Sequence, residues 1–549
     1  MRRAFVAVVA AGVATSCGST TPAPQPQPFV VDQPPPGLVA PPAQETRMEP
    51  PHQTAQPQDL VFPEEEFRKT QPVAGPPRPF ALPKVQHFTL ASGIAVYLVE
   101  QHVLPLVSMD LNFDGGDRVS PHDKPGLVGT CMAMLTEGTD KLDKIAYAEA
   151  LADIASTVTT YTNDDSHGVM LSSLTKHLDT TFELFAATLR SPGMRDRDFD
   201  RLVKRRIEAI KQAKGTPQQI APRVIAPVLY GHAHPYGEVT TEASLAATSL
   251  DDCKRFAATW LAPKGARLFV VGDQTEAQIR ARFEKSGALA GWAGAVPHVA
   301  ALPAPHTLPG RIFFVDVPGA AQSQIAMLAF GPGRAAPDYY ATTIMASVLG
   351  GGFASRINMN LREDKGYAYG ARGGFSYTRD YGMFSATAGV QVNATYQSLL
   401  ELRRELADMR DNKVPATADE LDRERTGAIL ALPGRFSTAQ AALGQYRNLV
   451  YFGLPLDYYE HYAAQLGKVG ATEVVAAAKR HLPVDAVYVV VGDGSAKQIV
   501  RDDGAKKDIA MKRGEVDVTL RDALAELVAD KKLGAGALVE LDADGQPKH

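Results

Sequence analysis

From Val85 onward the apolar and polar positions fall into short alternating runs followed by longer helical ones. Phe88-Thr89-Leu90 and Ala95-Val96-Tyr97-Leu98-Val99 have the period of two expected of strands, with a turn at Ser92-Gly93 between them. Leu106 to Phe113 alternates as a further strand. Helical spacing then predicts helices from Leu127 to Thr136, Tyr147 to Ile154, Leu178 to Leu189, Phe199 to Lys214 and Leu250 to Trp260. The strand Arg267 to Asp273 closes this half.

The succession then starts again. Arg311 to Val317 and Gln324 to Phe330 read as strands, helices follow, and Val487 to Asp493 ends the series. The two Val-Val-Gly-Asp endings lie 220 positions apart, and the early strand ends Phe113 and Phe330 lie 217 apart. Two landmarks that keep nearly one offset, in the same order, indicate a duplicated domain. The expected fold is α+β, with two homologous domains, each a mostly antiparallel sheet with helices packed on one face. The boundaries are 85–286 for the first domain, 287–310 for an Ala-, Pro- and Gly-rich linker, and 311–493 for the second domain. A C-terminal extension, 494–549, carries one amphipathic stretch, Leu520 to Val528, suited either to packing on the body or to meeting a partner.

Composition changes the picture mainly at the N-terminus. Met1-Arg2-Arg3 followed by the apolar run Ala4 to Ala14 is too short to span a bilayer and reads as a signal-peptide core. It ends at Ala14-Thr15-Ser16-Cys17-Gly18, which resembles the lipobox of bacterial lipoproteins, although Ala14 stands where Leu is usual. Residues 1–17 are therefore expected to be a signal peptide with lipidation at Cys17; the bland alternative is ordinary cleavage beside an incidental cysteine. By the same resemblance, the absence of Asp after Cys17 favours the outer membrane, facing the periplasm. Residues 18–84 are proline-rich and poor in apolar side chains, as expected of an extended linker. A formal charge of −4 over 549 residues gives no electrostatic reason to expect nucleic-acid binding. Only Cys131 and Cys253 follow Cys17, which is no disulfide framework for so long a chain, so stability is expected to come from the core.

The candidate chemistry sits at Gly126-Leu127-Val128-Gly129-Thr130-Cys131-Met132-Ala133-Met134-Leu135-Thr136-Glu137-Gly138-Thr139. This segment resembles the active-site helix of the pitrilysin/insulinase family of zinc metallopeptidases (the inverzincins), G-L-A-H-x-x-E-H-x-L-x-x-G-T. Further echoes are the stretch from Tyr230 to Gly237, Gly350 to Arg356, and Leu361 to Tyr369, in family order. In H-x-x-E-H, two histidines on one helical face hold zinc and the glutamate activates water. Here those positions are Gly129, Met132 and Ala133, which can neither bind zinc nor act as a base. Glu208 lies near the distance of the family's third ligand, but one carboxylate on an amphipathic helix reads as a solvated surface residue. No catalytic residue in cis, and no cofactor bound by this chain, is expected.

The resemblance implies a role for one surviving pair. Arg362 and Tyr369 stand seven apart, as do an Arg and a Tyr that in the family reach into the zinc site, bind the substrate backbone and stabilise the oxyanion. The bland alternative pairs Arg362 with Glu363 or Asp364 while Tyr369 packs in a strand. Some family members are heterodimers in which one subunit carries zinc and the other this pair. The chain resembles the second kind, so a zinc-bearing homologous subunit and peptide substrates are the expected partners. The competing expectation is a membrane-tethered peptide-binding or assembly scaffold with no role in proteolysis. Other polar groups read as structural. His232 and His234 with Glu238 look metal-like, but the resemblance implies that this stretch is a structural turn between helices; Asp164, Asp165 and His167 suit a solvated loop; Cys131 suits a buried inert thiol; and Gly350-Gly351-Gly352 lacks the following Lys-Ser or Lys-Thr of a P-loop.

Overall fold

A computed structural model describes Thr70 and residues 81–548, except 306–309, 503 and 535. Cys17 and the expected signal peptide lie outside the described residues, as does nearly all of the proline-rich linker. Among the described residues no helix is long and apolar enough to cross a membrane.

The first lobe contains β1 (Gln86–Thr89), β2 (Ala95–Glu100), β3 (Leu106–Asp114), β4 (Thr157–Thr162), β5 (Ser166–Leu174) and β6 (Arg267–Gly272), in the order β1-β2-β6-β3-β5-β4. The second lobe contains β7 (Arg311–Asp316), β8 (Gln322–Gly331), β9 (Ala368–Ser376), β10 (Gly382–Gln391) and β11 (Val487–Gly492). Two small ribbons follow, β12 (Ile499–Asp502) with β13 (Lys507–Ala510) and β14 (Lys512–Arg513) with β15 (Val516–Asp517). A last strand, β16 (Ala537–Glu540), completes the second sheet in the order β16-β7-β11-β8-β10-β9.

The two orders are the same if β16 stands for β1. The internal offset in the sequence is therefore a structural duplication, with one strand supplied from opposite ends of the chain. β1 runs antiparallel to β2, whereas β16 runs parallel to β7. β2 with β6 and β7 with β11 are also parallel, so both sheets are mixed rather than wholly antiparallel. The C-terminal extension is thus part of the second lobe. Its helix Leu520–Ala529 buries Leu520, Ala523, Leu524 and Leu527, the apolar stripe expected of a packed helix.

Each sheet has its own helices on one face and a helix of the other lobe on the opposite face. Helix Pro217–Tyr230 of the first lobe lays Ile220, Val224 and Val228 against Phe313, Leu328 and Val489 of the second sheet. Reciprocally, helix Ala439–Tyr451 crosses β3 and β6. Val99, Phe269 and Val271 of the first sheet join the second lobe's core. Alternation along the strands explains this: β11 is buried at every position, as a strand covered on both faces must be. The end of the chain ties the lobes again, with Asp544 accepting from Lys214 (2.6 Å) and Arg223 (2.5 Å).

Candidate functional site

The zinc-motif segment forms helix Leu127–Met134, and its retained flanks have backbone reasons to persist. Gly126 caps the helix at φ 81°, where a Cβ would stand 2.4 Å from Thr240 Oγ1. Gly138 adopts φ 108°, with a Cβ position 2.6 Å from the Leu142 carbonyl oxygen. Glu137 between them is buried and accepts from Arg201 (2.7 Å) and Arg205 (3.2 Å), joining the segment to helix Asp196–Ala213.

The interior of the helix is held by hydrogen bonds and packing. Gly129 N–H donates to Asp117 Oδ1 (3.1 Å), and Arg206 Nη1 donates to the Gly129 carbonyl (3.3 Å). A Cβ at position 129 would lie 3.4 Å from Arg206 Nη2 and 3.6 Å from Asp117 Oδ1, ordinary contact that places a guanidinium and a carboxylate beside this position. Burial holds Arg206 below its ordinary range and pushes the Asp117 carboxyl up. Met132 is buried in the core, and Ala133 packs against it. Glu208 is turned outward, pairing with Lys211 at 2.8 Å. Among the described residues no group of three or more His, Cys, Asp or Glu side chains could hold a metal ion. The donor set thus does not fit zinc: glycine, methionine and alanine replace the motif, and an arginine stands next to it.

Cys131 corrects the expectation of a free thiol, because it is disulfide-bonded to Cys253. The bridge staples the altered helix to helix Leu250–Trp260. Sequence spacing gave no sign of this, since the cysteines are 122 residues apart.

Asp165 and His167 also depart from expectation. They are buried rather than solvated, and His167 belongs to β5. Asp165 accepts from Arg118 (2.7 Å), from Tyr236 Oη (2.6 Å) and from Tyr451 Oη of the second lobe. His167 stacks on Phe113, and burial brings its imidazole down to about 4. Asp164 opens to solvent in a recess of about 270 Å³ between the lobes, shared with Arg267, Arg447 and Tyr451. Desolvation, Asp165 and Asp117 push its carboxyl up to about 6. Nearby, Asp110 accepts from Arg447 (2.7 Å) and Tyr161 Oη (3.0 Å). These acids are largely engaged in joining the lobes. The expected turn is as read: His234 Nδ1 accepts from Tyr236 N–H at 3.0 Å, and His232 Nε2 lies 2.8 Å from the Gly545 carbonyl oxygen.

Arg362 and Tyr369 are brought together. Arg362 lies in a π-helical turn, Met359–Asp364, and Tyr369 in β9. The Arg362 guanidinium carbon is 5.3 Å from the Tyr369 ring centroid and 4.5 Å from that of Phe353. Arg362 also pairs with Glu363 at 3.3 Å. Tyr369 is 87% exposed and Phe353 61%, unusual openness for aromatic side chains so close to a cation. Asn358 positions both arms, donating to the Phe353 carbonyl (2.7 Å) and accepting from Ala371 N–H of β9 (3.1 Å). Sequence reasoning named the pair but missed Phe353 and Asn358; the glycine-rich echo containing Phe353 was the available signal. No hydrogen bond, ion pair or ring contact among the described residues joins this cluster to helix Leu127–Met134.

Two duplicated α+β lobes, a motif helix without zinc-ligating side chains, and Arg362 beside an exposed Tyr369 define a metallopeptidase-type scaffold. The chain belongs to the M16 (insulinase) peptidase family. Residues 95–234 match the insulinase (peptidase family M16) model, and 247–427 match the peptidase M16 inactive domain. It is 22% identical to a non-peptidase homolog, YmxG, of Helicobacter pylori, over 73% of this chain and 92% of that one. It is 20% identical to an uncharacterized zinc protease YmxG of Bacillus subtilis, over 63% of this chain and 84% of that one. Among solved structures, a peptidase M16 inactive domain from Pseudomonas fluorescens superposes with a TM-score of 0.69 at 25% identity, covering 75% of this chain and 98% of the other.

Proposed function

We propose that the chain is the non-catalytic partner subunit of a zinc metallopeptidase that binds and degrades peptides, with Arg362 and Tyr369 completing the active site of a zinc-bearing homologue. The observation that carries this reading is a half-buried Arg362 flanked by exposed Tyr369 and Phe353, in a chain whose described residues hold no metal-binding group. A guanidinium and a phenol are fixed donors for a developing oxyanion. The inner faces of both sheets are covered within the chain by the other lobe's helix, so a peptide chamber would be formed with a second chain. The Cys131–Cys253 bridge suits an oxidising compartment, in keeping with export and a lipid anchor at Cys17 in the bacterial outer membrane.

Mixing the purified chain with its zinc-bearing homologue should produce peptide cleavage. Arg362→Ala combined with Tyr369→Phe should then lower kcat by roughly a hundredfold or more. Cleavage unaffected by the double substitution would end the trans role. The same exposed aromatics also suit a tethered peptide-binding scaffold with no part in proteolysis. Peptide binding by the chain alone, with no gain in cleavage on mixing, would favour that second reading.

A further inference from the structure

A cavity of about 370 Å³ lies within the second lobe, lined by Arg334, Tyr339, Tyr377, Arg435, Leu454 and Tyr459 among others. Arg334 is only 9% exposed, and its guanidinium carbon stands 3.5 Å from the Tyr339 ring centroid and 4.8 Å from that of Tyr458. Arg435, half-buried, leans on Tyr462 at 5.4 Å. Among the described residues neither arginine has a carboxylate within ion-pair distance. Other inward-turned arginines of the chain do: Arg118 with Asp165, Arg356 with Glu420 and Arg447 with Asp110, each at 2.7 Å. Ring faces offset part of the hydration lost by a guanidinium, but they offer few acceptors for its five N–H donors.

We infer that this cavity binds a carboxylate carried on an apolar or aromatic body, with Arg334 and Arg435 taking its two oxygens. The planar fork of arginine matches a carboxylate. The walls decide the rest of the ligand: Tyr339, Tyr377, Phe452 and Tyr459 offer ring faces to an aromatic body, Gln445 and Asn448 add neutral amides, and two arginines suit one planar monoanion better than a multiply charged phosphate. The carboxylate has two possible sources, a free organic acid or the C-terminus of a peptide. The site is separate from the Arg362–Tyr369 cluster and does not depend on the proposed role of that pair.

Calorimetric titration of the full chain with benzoate, N-acetylphenylalanine, their neutral amides and inorganic phosphate tests the assignment. Both acids should bind saturably, and each amide at least tenfold more weakly. Arg334→Gln and Arg435→Gln should each weaken acid binding at least tenfold; the half-buried Arg435 keeps the test available if Arg334→Gln does not fold. Tighter binding of N-acetylphenylalanine would assign the site to peptide C-termini, and equal or tighter binding of benzoate to free acids. Acids and amides binding alike, phosphate binding better than either acid, or no saturable heat up to about 10 mM would overturn the inference.

Discussion

The two lobes share one strand order, yet the regions where the family's chemistry would lie have gone opposite ways. In the first lobe, helix Leu127–Met134 is largely packed away, with only Gly129 and Ala133 partly open. Cys131 is bonded to Cys253, Met132 lies in the core, and Arg206 caps the Gly129 carbonyl. In the second lobe, the turn Met359–Asp364 and strand β9 hold Arg362 beside a tyrosine and a phenylalanine that remain in solvent. Burial in the first region contributes to stability. Exposure in the second forgoes that contribution, and an open aromatic pair held in place by Asn358 is a feature that packing alone does not explain. The difference teaches that one scaffold can hold a segment for stability in one lobe and present a segment to solvent in the other. Around positions 129, 132 and 133 the side chains serve packing and hydrogen bonding, while the aromatics beside Arg362 stand open.

The sharpest way to break this comparison is to put the motif back. Gly129→His, Met132→Glu and Ala133→His together should not restore stoichiometric zinc, because position 132 points into the core and Glu208 faces solvent with Lys211. A glutamate at the buried Met132 position would instead cost on the order of 3 to 5 kcal/mol. Metal analysis and denaturant unfolding check both statements. One zinc per chain with unchanged stability would mean that the first region is merely unliganded.

The duplication was legible because two strand endings kept their spacing, and the altered helix because three substitutions fell at fixed places between matching flanks. The long-range partners were not legible. Asp165 looked like loop polarity since its partners Arg118, Tyr236 and Tyr451 lie 47, 71 and 286 residues away. Cys131 and Cys253 become neighbours only once helices Leu127–Met134 and Leu250–Trp260 pack together. The role of β16 was hidden for a similar reason. Four residues, Ala537–Glu540, carry too little pattern to be assigned to a sheet whose other strands end at Gly492.

Reduction offers a graded test of the same contrast. The second lobe packs the equivalent helices Tyr339–Ala346 and Ala471–His481 through side chains such as Met345, Val474 and Ala478, without a bridge. Cys131→Ala with Cys253→Ala, or a reductant, should therefore destabilise the first lobe by about 2 to 4 kcal/mol. Hydrogen exchange should quicken in helix Leu127–Met134 and hold in β11. Equal loss of protection in both lobes would show that they unfold as one cooperative unit.

The smallest expected effect lies where the two lobes meet. Asp164 has its carboxyl pushed from 3.8 up to about 6, so the folded protein favours its neutral form. The sign follows from linkage: this contribution is fully present below the unfolded value and is lost as pH rises through about 6. Because Asp164 opens to solvent in the recess, screening leaves a contribution of about 1 kcal/mol or less. Asp164→Asn should therefore match the parent near pH 4 and exceed it slightly at pH 7, flattening stability between those values. A variant less stable than the parent at pH 7 would mean that the Asp164 carboxylate is held by a favourable partner across the recess. The lobes would then be joined by attraction at Asp164, where burial and the neighbouring Asp165 and Asp117 otherwise disfavour its charge.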